Sequence, residues 1–133
     1  MRETLETIRS SAEPAKLVES IFHWILENIH YDQHHGKFFY RTARETYNDG
    51  HGVCGELAVC YIALLREVGI SAHFVEVTVD CKGDKVDHAC VLVKEREEEF
   101  LSDPAYRMFR IDHPQYAVWN DEKMVAEYAI WNK

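Results

Sequence analysis

The chain has 133 residues, with 23 acidic against 15 basic side chains and a formal net charge of -8. That length supports a single domain over 1–133 that buries roughly two-thirds of its unfolded surface, and the acidic excess repels phosphate backbones and anionic bilayers, so no nucleic acid and no membrane are expected as partners. No apolar run approaches the roughly 20 residues of a membrane span, and the opening Met1-Arg2-Glu3-Thr4-Leu5-Glu6 is too polar for a secretory signal, so a cytoplasmic location is expected.

A polar helix over Arg2 to Arg9 leads the chain. After Glu13-Pro14, residues Leu17, Val18, Ile21, Phe22, Ile25, Leu26 and Ile29 recur at three- and four-residue spacing, which predicts an amphipathic helix packed on the core and ending near His30. Tyr31 to Phe39 reads as a loop bent at Gly36. Arg41 to Tyr47 reads as a helical turn before the turn signal Asn48-Asp49-Gly50. The aromatics Tyr31, Phe38, Phe39, Tyr40 and Tyr47 belong to the core, with one or two walling a cleft.

The next helix starts at Cys54. Leu57, Ala58, Tyr61, Ile62, Leu64, Leu65 and Val68 make it apolar nearly all round, as in a helix buried between other elements, and Gly69 supplies a left-handed cap. The period then changes to two. Val75, Val77 and Val79 share one strand face, expected to point at the core, and Lys82-Gly83-Asp84-Lys85 is a hairpin turn into a strand over Val86 to Lys94. A solvated charged turn precedes a third strand, Glu99 to Asp103, completing an antiparallel meander. With that turn centred on Glu95 and Arg96, Asp103 falls directly opposite His88. Further on, Phe109, Ile111 and Tyr116 to Trp119 suggest more strand. Asn120 or Asp121 caps a helix with Met124, Val125, Tyr128 and Trp131, and these C-terminal elements are expected to cover the sheet.

Three stretches carry chemistry: Gly52-Val53-Cys54-Gly55-Glu56, Asp87-His88-Ala89 and Leu101-Ser102-Asp103-Pro104. A thiol at a helix N-terminus meets the positive end of the helix dipole and unpaired N–H groups, both of which favour thiolate. His88 is then the proton shuttle, and Asp103 fixes its tautomer. Gly52 and Gly55 leave room for a substrate chain and, with Glu56, are candidate substrate-binding residues. The Cys54 N–H is an oxyanion donor, with Gln33 and Asn48 as candidates for the second. Cys60 reads as core, and Cys90 shares the strand face of His88.

In order and spacing, several motifs between Ile21 and Pro104 resemble the transglutaminase-like superfamily. They are Trp24-Ile25-x-x-Asn28-Ile29-x-Tyr31, Gly52-x-Cys54, Leu65-Arg66-x-x-Gly69-Ile70-x-Ala72, His88-Ala89 and Asp103-Pro104. The resemblance implies an α+β fold with a papain-like core, a central helix packed on an antiparallel sheet, and a catalytic triad of Cys54, His88 and Asp103. It implies acyl transfer from an amide or ester of a peptide, protein or small molecule through a thioester, by a cysteine peptidase or amidase if water is the acceptor and by a transglutaminase if an amine is. Cys54-Gly55-Glu56 also resembles the peptide N-glycanase branch, whose paired Cys-x-x-Cys zinc elements this chain lacks, so a glycan-amide substrate is not carried over.

Two other classes compete. A non-catalytic interaction module on the same fold would not require Cys, His and Asp together. A metal-binding protein could draw on His34, His35, His51, Cys54, Cys81, His88 and Cys90, but none of the familiar zinc spacings is present, so neither metal nor other cofactor is expected. The four cysteines, Cys54, Cys60, Cys81 and Cys90, fit reduced thiols better than a disulfide scaffold.

Overall fold

A computed structural model describes residues 2–32 and 42–128. The fold is mixed helix and antiparallel sheet, as expected. Helix α1 (Arg2–Ser11) and a 3-10 turn (Pro14–Lys16) lead into α2 (Leu17–Asn28). Helix α2 buries Val18, Ile21, Phe22 and Ile25, the apolar stripe that its spacing predicts. It stops short of His30 because Ile29 turns extended. His30–Tyr31 then form a two-residue strand, β1, where the predicted helix end meets the segment read as loop. The expectations on Gln33, His34, His35, Gly36, Phe38, Phe39 and Tyr40 lie outside the described residues.

Helix α3 (Ala43–Asp49) is closed at both ends by local chemistry. Thr42 and Glu45 form a reciprocal capping box, and Gly50 takes the left-handed conformation (φ 77°) that ends it. The chain returns through β2 (His51–Gly52), which pairs parallel with β1. The His30 and Asp32 N–H groups donate to the Gly50 and Gly52 carbonyls at 2.9 and 2.8 Å. This small pair ties the end of α2 to the residues that enter α4 (Cys54–Glu67).

Helix α4 is buried along almost its whole length, from Gly55 to Leu65 apart from Ala63. After its last turn, Gly69 (φ 83°) reverses the chain into β3 (Ser71–Val79), followed by β4 (Lys85–Glu95), β5 (Glu98–Asp103), β6 (Met108–Ile111) and β7 (Gln115–Val118). The predicted meander forms the middle of a five-stranded sheet ordered β6-β5-β4-β3-β7. The C-terminal strands extend this sheet at its two edges instead of covering it, because β6 pairs with β5 and β7 with β3. Helix α5 (Asp121–Tyr128) is capped by Asn120, whose Oδ1 accepts the Lys123 N–H at 2.8 Å, and it buries Met124 in the main core. The side chains of Val125 and Tyr128, and all of Trp131, lie outside the described part.

The sheet buries both faces. Ala72, Phe74, Ala89, Val91 and Val93 join the helices in the main core. Val75 and Val77 alternate away from it and pack with Cys90, Leu101 and Ile111 in a second, smaller cluster. The valines are therefore buried, but not against the helices. Helix–sheet docking from β3 falls instead to Ala72 and Phe74.

A candidate active site where helix and sheet meet

Glu56 seats the start of α4. Its carboxylate accepts the Val53 N–H at 3.1 Å from three residues along, and the side chain is fully buried. A Cβ on Gly52 would stand 2.9 Å from both Cβ and Oε1 of Glu56 and 3.3 Å from Thr46. The space beside Gly52 is thus filled by Glu56, and only a glycine permits that approach. Gly55 is buried too. These contacts hold Cys54, which is partly exposed, at the helix N-terminus. Asn48 lies on the exposed side of α3.

His88 enters from β4 next to an irregularity. Val77 pairs with His88 but Val79 pairs with Lys85, so Thr78 alone faces Val86 and Asp87. A bulge at this point re-aims the strand just before the histidine. Asp103 enters from β5, but not directly opposite His88. The ladder pairs Val91 with Ser102 and Leu92 with Leu101, centring the turn on Arg96 and Glu97, where Arg96 takes a positive φ of 59°. Continuing that register sets Asp103 against Cys90, two residues from the expected partner. A slip of two keeps the side chain on the same face, so the pair still meets along the diagonal.

The three predicted site residues come together. The His88 Nε2–H donates to Asp103 Oδ2 at 2.7 Å, and Cys54 lies near enough to the same ring to act on its charge. Burial alone would lower the His88 pKa. The Asp103 hydrogen bond and the negative charges of Asp103 and Cys54 outweigh it and raise the pKa to about 9. Cys60 and Cys90 are different thiols. Burial pushes Cys60 up to about 12, and burial and then the Asp103 charge push Cys90 up as well.

Three further side chains complete the surroundings. Asp103 is fully buried. Its Oδ2 also accepts the Nε2–H of His113 at 2.9 Å, and its Oδ1 accepts the Tyr106 N–H at 3.1 Å. The Tyr106 ring stacks on His88 at 4.3 Å between centroids, and its hydroxyl donates to Asp80 Oδ2 at 2.6 Å. That contact, with the Lys82 and Asp84 N–H groups, holds the Asp80 carboxyl below its ordinary range. The sequence carries one signal for this arrangement, Asp103-Pro104 as a turn initiator. Asp103 does cap the turn, in addition to holding His88. Nothing local marked His113, Tyr106 or Asp80, whose roles depend on segments distant in the chain.

His88, Asp103 and His113 also offer one ligand atom each within 4.8 Å of one another, a geometry compatible with a metal. The hydrogen bonds of His113 count against one. His113 Nδ1 accepts the Cys81 N–H at 3.0 Å, so its one ring proton sits on Nε2 and points at Asp103. A metal on Nε2 would require that proton to leave, whereas histidine ligands ordinarily donate through the other nitrogen.

The family model of the transglutaminase-like superfamily matches residues 2–126. No curated protein matches the chain by sequence. Among solved structures, the chain is similar to a proposed cysteine protease from Cytophaga hutchinsonii, with TM-score 0.66 and 17% identity over 90% of this chain and 45% of that one. It is similar to calcium-bound LapG from Legionella pneumophila, with TM-score 0.65 and 16% identity over 90% of this chain and 74% of LapG. A TGase gives TM-score 0.64 and 12% identity over 92% of this chain and 35% of that one. The chain thus spans under half the length of the first and last of these. Among the described residues, no helix is long and apolar enough to cross a membrane.

Proposed function

The chain belongs to the transglutaminase-like superfamily, and we propose that it is a thiol enzyme transferring an acyl group from an amide or ester through a thioester on Cys54. The observation that supports this reading best is the position of His88, hydrogen-bonded to buried Asp103 and close enough to Cys54 for the thiol to act on its charge. In the proposed cycle the Cys54 thiolate attacks the carbonyl carbon to form a tetrahedral oxyanion, which the Cys54 N–H helps to hold. Collapse breaks the carbon–nitrogen or carbon–oxygen bond as the His88 imidazolium gives its proton to the leaving amine or alcohol. Water or an amine then loses a proton to His88 and attacks the thioester, and the thiolate leaves. Asp103 stays ionised throughout, orienting the ring and stabilising its charged form.

The acyl donors proposed are peptides, proteins or small amides, and the location proposed is cytoplasmic. The reaction needs no metal or other cofactor. Incubation with p-nitrophenyl acetate and a set of electrophilic amide mimics, followed by intact-mass and peptide mass spectrometry, tests the reading. An acetyl or probe adduct on Cys54, lost in Cys54→Ala, is expected. A protein that stays unmodified at Cys54 across the whole set would overturn it in favour of a binding module.

A further inference from the structure

Beyond the three motif residues, the buried network around Asp103 contains a second histidine that the proposed cycle does not use. We infer that His113 is a positioning residue, which holds the Asp103 carboxylate in the orientation that His88 requires. This rests on the thiol-enzyme reading for its catalytic consequence, though not for its geometry.

The His113 side chain has no solvent exposure, and both ring nitrogens are engaged. The Cys81 N–H donates to Nδ1 at 3.0 Å, and Nε2–H donates to Asp103 Oδ2 at 2.9 Å. A main-chain N–H cannot change into an acceptor, so the backbone at Cys81 selects the tautomer of His113. The tautomer in turn guarantees a donor toward Asp103. Oδ2 is then shared by two imidazole N–H groups, while the Tyr106 N–H occupies Oδ1. With three donors converging on its two oxygens, the carboxylate cannot rotate without losing some of them. The two histidine rings are also set edge to face, 5.8 Å apart. The turn between β3 and β4, which precedes His88, is thereby linked to the aspartate that orients it.

Two substitutions separate this role from simple anchoring of the Cys81 turn. His113→Gln can place an amide N–H near the position of Nε2 and keep the donation to Asp103. His113→Asn can place an amide oxygen near Nδ1 and keep the Cys81 contact, but it is too short to reach Asp103. In His113→Asn, the kcat for p-nitrophenyl acetate should fall about tenfold with KM little changed, the range expected when a group supporting the base is lost. His113→Gln should recover most of that loss.

The second readout is the titration of His88 itself, followed by NMR of the imidazole. The groups facing it are Cys54 from α4, Asp103 from β5, Tyr106 from the following turn, His113 before β7 and Cys90 on its own strand, with Asp80 behind Tyr106. Removing one N–H from Oδ2 leaves more negative charge for the imidazolium, so the midpoint should move up in His113→Asn by roughly half a unit. It should return in His113→Gln.

Equal losses in both variants with an unmoved His88 midpoint would overturn the proposal and leave His113 as a turn anchor, and wild-type behaviour of His113→Asn would overturn it also. Repeating the titration in Cys54→Ala keeps the two readings distinguishable. A shift there on His113→Asn, in a protein whose wild type never acylates, would sustain His113 as the residue that positions Asp103 and would reject the thiol enzyme.

Discussion

The hydroxyls of Tyr61 and Ser102 are hydrogen-bonded at 3.0 Å in the fully buried interior. The tyrosine lies two helical turns below Cys54, and the serine immediately precedes Asp103. One buried contact therefore ties the helix that carries the thiol to the strand that carries the carboxylate. Burial and the low-dielectric surroundings also push the Tyr61 hydroxyl far above its ordinary pKa, so it remains a neutral partner. Tyr61→Phe leaves the Ser102 hydroxyl without this partner, and the expected cost is about 1–2 kcal/mol. Urea unfolding should show a lower midpoint with unchanged slope.

The four thiols should differ sharply in reactivity. Limiting iodoacetamide near neutral pH should label Cys54 first, since it is partly exposed at a helix N-terminus and near the His88 ring, while Cys60 and Cys90 are buried with raised pKa values. Cys81 is exposed but has no such activating partner in the proposed mechanism. Peptide mapping that finds Cys81 or Cys60 alkylated before Cys54 would count against the assignment.

The motif residues should behave as a unit. Cys54→Ala and His88→Ala should each abolish thioester formation, and the double variant should be no worse than either, because a nucleophile without its base and a base without its nucleophile are equally idle. Asp103→Asn should slow the reaction by roughly 10²–10⁴, since an amide cannot accept from three N–H donors and permits the wrong tautomer of His88. Circular dichroism should show folded protein in all three single variants. Full acylation of His88→Ala would make His88 a structural strand residue.

The pH dependence has a definite sign. The pKa of His88 is raised from 6.5 to about 9, so the stabilisation from its charged pairing is fully present below the lower value and is lost as pH rises through the upper one. Turnover of a p-nitroanilide, whose leaving amine needs a proton, should fall on its alkaline side near the same point. Thermal midpoints across this window, compared between wild type and His88→Ala, isolate the contribution. A wild-type midpoint that rises through pH 9 relative to the variant contradicts it.

Gly52→Ala tests the seating of the helix start. The new methyl group would stand 2.9 Å from Glu56, a residue held by its bond to the Val53 N–H, so something must shift. The expected destabilisation is about 2 kcal/mol, together with slower alkylation of Cys54 as the helix terminus moves. Unfolding midpoints and the alkylation rate, measured on the same sample, check both parts.

Local patterns determined a great deal of this protein. Three- and four-residue apolar spacing marked α2, a run apolar nearly all round marked α4, alternation marked the central strands, and Gly50, Gly69 and Asn120 ended or capped elements through short-range backbone chemistry. Motif order singled out Cys54, His88 and Asp103 because helix starts and strand ends are local features. Tertiary structure decided how these residues meet. Both faces of the sheet are buried, so alternation could not say which face met the helices, and Val75 and Val77 went to the other one. The turn at Arg96 shifted the register by two, a change invisible to side-chain alternation because its period is also two. His113, Tyr106 and Asp80 acquire their roles only where separate turns converge on one buried carboxylate, and no spacing along the chain encodes that convergence.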